Sequence, residues 1–233
     1  MAYLGNAPTS VPLSSADILD SAITTSKIAN GTIALADLSA TGTKDATTFL
    51  RGDNSFATVS SDYVLLATTD ITSSTASVSF DGYFSSTYKN YIMYYTNVVP
   101  VTDRQKAWIR FRRSNADVTA NNYKTGGFGW NGENGALSAE TTTSTAIGAL
   151  QDMSNNGNNA GSGSIVLNDP LSTNTKHSFF LNQIDSWDNT NNYFRYIGLT
   201  GMLTDSNSAL SGLSFYFASG NIARGNFKLY GLK

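Results

Sequence analysis

Leu13, Ile18, Ile23, Ile28, Ile33 and Leu38 stand five residues apart, one aliphatic side chain per pentad. An amphipathic helix repeats its apolar stripe at three and four residues, and a half-buried strand at two. A step of five changes faces at each rung of a strand and drifts around the axis of a helix. The spacing fits a chain that turns repeatedly and offers one apolar side chain per turn. So short a repeat closes no core of its own; it needs many more repeats or identical neighbours. The ladder ends at Leu38, so identical neighbours are expected. The segment reads as one strand of a homo-oligomeric fibre whose rungs face a symmetry axis.

The rest of the 233 residues bear the signature of strands and loops. Charged residues are 14 % of the chain, against roughly 25 % in globular proteins. Ser, Thr, Asn and Gly fill the difference, and of 17 acidic residues only Glu133 and Glu140 are glutamate. Asp prefers turns and Glu prefers helices. The 12 Tyr and 12 Phe favour pleated surfaces. A net charge of −2 offers no basic excess for a phosphate backbone, so nucleic acid is not an expected partner. Cysteine is absent, which removes disulfides and thiolate metal sites. The start MAYLGNAPTSVPLSS has neither the basic nor the apolar region of a secretory signal, and no apolar run is long enough to span a bilayer. No cofactor and no membrane insertion are expected.

Three parts are expected. Residues 1–38 hold an extended, anchor-like start and the ladder, with short helical turns near Ser15–Ala22 and Ile33–Leu38, capped by Ser or Thr, and a turn at Asn30-Gly31. Residues 39–60 form a linker in which Arg51-Gly52-Asp53 belongs to a tight turn rather than an adhesion motif. Residues 61–233 read as an all-β head, an antiparallel β-sandwich of jelly-roll kind. Ala76, Val78 and Phe80 alternate with serines, and Leu213, Phe215 and Phe217 alternate with Ser214 and Tyr216. Further strands are expected at Tyr63–Ala67, Asn90–Val98, Ala107–Arg113, Ile165–Asn168, Ser178–Ile184, Tyr193–Leu199 and Phe227–Leu232. Tyr91 to Tyr95 is apolar on both faces and belongs in a central strand. The low-complexity stretches Ser138–Ala146 and Ser154–Ser164 are expected to be exposed loops.

The order of three segments along the chain resembles tail fibres of tailed bacteriophages, particularly marine and cyanobacterial ones. MAYLGNAP followed by ITTSKIANGTI is similar to the anchor and shaft of such fibres. TFLRGDNSFATV is similar to the connector that precedes their heads. YKNYIMYYTNVVPVTDRQKAWIRFRRSNADVTANNY and the ending GNFKLYGLK are similar to a β-sandwich domain of phage tail proteins. The resemblance implies a homotrimer with a receptor-binding head. It also implies an N-terminus held by other tail proteins, here through Tyr3, Leu4 and Pro8. It places the chain in the virion tail, made in the host cytoplasm without a signal peptide.

Catalytic chemistry finds few groups to use. His177 is the only histidine, so a nitrogen-rich metal site has no second ligand, and no G-x-S-x-G elbow presents a nucleophile. Asp185 and Asp188, or Glu133 and Glu140, are the carboxylates a glycosidase would need. They read instead as turn and loop residues, and the chain is expected not to be an enzyme. Calcium on Asp and Asn loop oxygens stays open. Arg110 and Arg112 share a strand face with Trp108, and together with Arg113 they read as a solvated face, a subunit contact or an anionic-glycan patch. A sugar needs an aromatic face with amides beside it. Two expected loop regions offer that: NNYKTGGFGWNGEN, with Tyr123, Phe128 and Trp130 amid Asn121, Asn122, Asn131 and Asn134, and IDSWDNTNNYF, with Trp187 and Tyr193 amid Asp185, Asn189, Asn191 and Asn192. These five aromatics are the candidate receptor site for a host-surface glycan or protein. The competing expectation is a purely structural virion component, such as an adaptor, collar or head decoration.

Overall fold

The computed structural model describes residues 14–131, 135–137, 142–186, 194–205 and 207–233. The chain divides into two compact units, Met1–Ser60 and Ser61–Lys233. No α-helix occurs among the described residues, and the strands within each sheet pair antiparallel.

In the first unit the pentads combine in pairs. Three-residue 3₁₀ turns at Ser15–Asp17, Thr25–Lys27 and Leu35–Asp37 recur every ten residues. Between them the chain reverses at Asp20-Ser21 and Asn30-Gly31, where Ala22 N–H donates to Leu19 O at 3.0 Å and Thr32 N–H to Ala29 O at 3.2 Å. Ser21 (φ 63°) and Gly31 (φ 79°) occupy equivalent left-handed positions. Ile18 and Ile28 follow a 3₁₀ turn, and Ile23 and Ile33 come two residues before the next. The middle turn, Thr25–Lys27, lies outside the two helical segments read from sequence, and Thr24 before it makes no side-chain cap. Ile18, Ile23, Ile28 and Ile33 are 40 to 56 % exposed, Leu38 is half-buried, and Leu13 lies outside the described residues. Among the described residues of this unit only Ala40 is buried.

A hairpin follows, β1 (Thr48–Leu50) and β2 (Phe56–Thr58), with Arg51-Gly52-Asp53 at its tip. Asn54 takes φ 60°, and Asn54 N–H donates to Arg51 O at 3.0 Å. The Ser55 hydroxyl, donated at 2.6 Å, holds the exposed Asp53 carboxyl below its ordinary range. The tripeptide therefore serves its own turn.

The second unit contains two sheets. The strands are β3 (Tyr63–Ile71), β4 (Ser77–Asp81), β5 (Asn90–Pro100), β6 (Gln105–Arg113), β7 (Ala116–Asp117), β8 (Tyr123–Asn131), β9 (Gly135–Leu137), β10 (Thr142–Ser144), β11 (Ile147–Met153), β12 (Gly161–Asn168), β13 (His177–Ser186), β14 (Phe194–Leu203), β15 (Gly212–Phe217) and β16 (Ile222–Leu232). The larger sheet runs β10-β8-β14-β13-β12-β5-β16-β3 with β9 on β8; the smaller runs β11-β6-β15-β4 with β7 on β6. The chain crosses between sheets from β3 to β4, β5 to β6, β11 to β12 and β15 to β16. The order β3-β16-β5-β12 in one sheet thus shadows β4-β15-β6-β11 in the other. β13, β14 and β8 extend the larger sheet beyond this pattern.

One buried cluster draws on both sheets. Tyr91, Met93 and Tyr95 of β5 and Phe227 and Leu229 of β16 join Val78, Phe80, Ile109, Phe111 and Phe215 of the smaller sheet. Ring pairs cross between the layers: Tyr95 with Phe215 at 5.1 Å, Phe215 with Phe227 at 5.0 Å, and Phe111 with Phe179 at 5.8 Å. Each such pair adds about 1 kcal/mol beyond its area. All the strands expected from alternation are present, and β5 lies inside its sheet, as its two apolar faces require.

Three stretches differ from the sequence reading. NNYKTGGFGWNGEN was expected to be a loop, but Tyr123–Asn131 is β8. Ser154–Ser164 was expected to be exposed, yet Gly161–Ser164 opens β12, and Ser154, Asn159 and Ser164 are buried. Within Ser138–Ala146, Thr142–Ser144 is β10 and Ala146 is buried. Glycine disguised β8 and β12. A Cβ at Gly127 would lie 2.2 Å from the Gly198 carbonyl, and one at Gly163 would lie 2.2 Å from the Asn182 carbonyl, so the close approach of neighbouring strands excludes side chains. The same holds at Gly212, 1.9 Å from the Phe80 carbonyl. Gly212→Ala is expected to destabilise the second unit by about 3 kcal/mol, read as a lowered denaturant midpoint, whereas Gly52→Ala, with open space around it, leaves that midpoint unchanged.

Candidate functional site

The described residues divide the candidate aromatics. Alternation along β8 turns Tyr123 and Thr125 inward and Phe128 and Trp130 outward. Tyr123 is fully buried; its hydroxyl accepts from Phe111 N–H at 2.9 Å and donates to Val118 O at 3.1 Å, and burial raises its pKa. It is a core residue and leaves the receptor site. Phe128 and Trp130 are 61 % and 51 % exposed. Trp130 pairs in register with Tyr196 and Phe128 with Gly198, and the Phe128 and Tyr196 rings lie 6.2 Å apart. A Cβ built at Gly198 would meet the Tyr196 hydroxyl at 3.4 Å and the Phe128 ring at 3.6 Å, so the two rings flank this position. The result is an open platform of three aromatic rings, able to stack on the apolar faces of a flat ligand. Tyr196 was missed in sequence because its place beside Trp130 depends on register between distant strands. Trp187 and Tyr193 lie outside the described residues, as do Asp188, Glu133, Glu140 and the anchor residues Tyr3, Leu4 and Pro8.

Asp185 is a strand residue of β13 and not a turn residue; it pairs in register with buried Arg195. His177 is buried at the start of β13. Its Nε2 donates to the Ser208 carbonyl at 2.9 Å, while Nδ1 has no hydrogen-bond partner. Among the described residues no group of three His, Asp or Glu is placed to hold a metal ion. No helix among the described residues is long and apolar enough to cross a membrane.

The arginine cluster is internally neutralised. Arg112 Nε donates to both oxygens of Asp81 at 3.0 and 2.8 Å, and its Nη1 pairs with Asp117. Arg110 stacks over Tyr216 at 4.9 Å, donates to Thr145 O at 3.0 Å and approaches Asp117. Arg113 pairs with Asp205. The three arginines at this end of β6 are therefore paired with the chain's own carboxylates. The Arg110 guanidinium covers Tyr216, which packs edge-on against Trp108 at 5.9 Å.

No protein-family model matches this chain, and no curated protein and no solved structure matches it either.

Two tyrosines give opposite expectations. Tyr123→Phe strips buried Phe111 N–H of its acceptor and costs about 1–2 kcal/mol. The Tyr216 hydroxyl is buried without a partner, so Tyr216→Phe is neutral or stabilising. Burial pushes Tyr216 up to about 12 against the opposing pull of Arg110. The folded state thus holds this proton longer than the unfolded one. Its contribution to stability is complete below a pH of about 10 and is lost as pH rises to about 12. Denaturant unfolding of both variants across that window checks the sign.

Proposed function

We propose that this chain is a fibre protein of a tailed bacteriophage, held to the tail by its N-terminus and adhering to the host surface through its second unit. The observation that carries the reading is the first unit's lack of a core. Four isoleucines of a ten-residue turn repeat stand half in solvent, and only Ala40 is buried among that unit's described residues. Sister copies gathered on one axis give those rungs the burial that a single chain does not. Completing the burial of each rung is worth about 1 kcal/mol. Three copies are the number the fibre resemblance implies.

The second unit is read as a β-sandwich head of jelly-roll type. Its support is the interleaved order β3-β16-β5-β12 over β4-β15-β6-β11. Double-sheet jelly rolls recur in viral and lectin domains, and the Phe128–Trp130–Tyr196 platform gives this one a surface on which a glycan can stack. Adhesion needs no bond chemistry: weak sites on several copies add through effective concentration. A head with no host-binding activity belongs to a structural virion component instead.

Mass measurement of the full chain is expected to give an oligomer, and replacing Ile18, Ile23, Ile28 and Ile33 by Ser to weaken it by about a thousandfold. A stable monomer at micromolar concentration overturns the fibre reading. Trp130→Ala is expected to weaken attachment to host cells at least about tenfold with the melting temperature unchanged, because half of that ring is already in solvent. Attachment equal to that of the unaltered chain removes the platform as the receptor site.

A further inference from the structure

The aromatic platform is one end of a longer strip. Pairing keeps a single register across six strands, so that Phe128, Gly198, Asn182, Ser164, Tyr94 and Lys228 stand in one row on β8, β14, β13, β12, β5 and β16. Strands lie about 4.8 Å apart, which puts Tyr94 roughly 19 Å and Lys228 roughly 24 Å from Phe128. A second row carries the platform in the same direction: Trp130 pairs with Tyr196, and Tyr196 with exposed Ile184. At Ile184 begins a hollow of about 470 Å³, bordered also by Asn182, Ser164 and Tyr94. A single sugar ring is too short for such a strip; a chain of them is not.

The chemistry changes along the row. Phe128 and Tyr94, 61 % and 40 % exposed, are rings open for stacking. Between them Asn182 Nδ2 donates to Ser164 Oγ at 3.0 Å, and among the described residues the Asn182 side chain has no other partner. Its carbonyl and its second N–H are left to bond hydroxyls. At the far end Lys228 has no ion pair among the described residues. Asp70, on the adjoining β3, is engaged instead by the Asn226 amide. Lys124, four residues before Phe128 and so on the same face of β8, is exposed and likewise without an ion pair among the described residues. On the smaller sheet, by contrast, Arg110, Arg112 and Arg113 each have an aspartate.

We propose that this row binds a segment of an anionic polysaccharide laid across the strands, with sugar rings on Phe128 and Tyr94, hydroxyls on Asn182 and a carboxylate on Lys228. The proposal rests on the platform being the receptor site, and adds the class and the length of what it holds. Two observations select this occupant. The strip is continuous with the platform, ring to amide to ring, which is the pattern a chain of sugars meets repeatedly. Its unanswered charge is positive, so a neutral chain would leave the Lys228 ammonium without a partner and an acidic one supplies it. The Lys228 stem lies along the sheet beside Tyr94 while its head stays within reach of solvent.

The probe is polygalacturonate, cut to disaccharides and to longer chains that span the row, with the same fragments reduced at their carboxylates as neutral controls. Binding to the full chain is read by calorimetry, and each variant's melting temperature and mass are measured in parallel. The longer acidic chain is expected to bind about tenfold more tightly than the disaccharide, and Tyr94→Ala to remove that advantage. Lys228→Met, which keeps the stem and the melting temperature, is expected to weaken the longer acidic chain about fivefold and the reduced chain not at all. Equal affinity for acidic and reduced chains overturns the anionic class and the role of Lys228. Equal affinity for the two lengths overturns the strip and leaves the platform reading standing. Absence of binding by every fragment at millimolar concentration also overturns the strip, while host-cell attachment by Trp130→Ala judges the platform separately. A changed mass in Lys228→Met with binding unaltered overturns the proposal and makes the face a contact between copies.

Discussion

A ten-residue repeat of turns cannot wrap an apolar side chain on all sides, and much about this molecule follows from that limit. Each repeat has one 3₁₀ turn, one reversal and two isoleucines, and among the described residues of this unit only Ala40 is buried. The hydrogen bonds within the repeat are local: Asp37 Oδ2 accepts from Ala34 N–H at 2.7 Å, and the Thr32 hydroxyl donates to Ala29 O at 2.7 Å. They shape the turns and bury nothing.

The second unit meets the opposite situation. Its chain passes repeatedly from one sheet to the other, so nearly every apolar residue of the inner faces finds a partner from a distant part of the sequence. Tyr95, Phe215 and Phe227 form a connected set of rings across the layers. Polar groups in this core are handled by pairing: the Tyr95 hydroxyl reaches the Asn182 carbonyl at 3.3 Å, and the Tyr91 hydroxyl accepts from Ser85 N–H at 2.7 Å. The smaller sheet then carries its charges on the outside as matched Arg–Asp pairs. On β5, β12 and β13 the outer face of the larger sheet carries isoleucine, valine and aromatic rings, while on β16 Lys228 stands in register with Tyr94.

What the sequence made legible follows from periodicity. Residues 76–80 and 213–217 alternate so regularly that β4 and β15 are plain, and the double-faced apolarity of Tyr91–Tyr95 marks an interior strand. The ten-residue period was hidden because both pentads carry the same side chain type and differ only in backbone: one closes a 3₁₀ turn, the other follows a reversal. β8 was hidden because glycine, which lowers strand propensity, is what allows it to lie close against β14. Tyr123 and Trp130 sit seven residues apart on one strand, so opposite faces separate them, and grouping them as one site failed once the segment proved extended. The pairing of Arg112 with Asp81 and Asp117, and the company Tyr196 keeps with Trp130, depend on register, which composition does not encode.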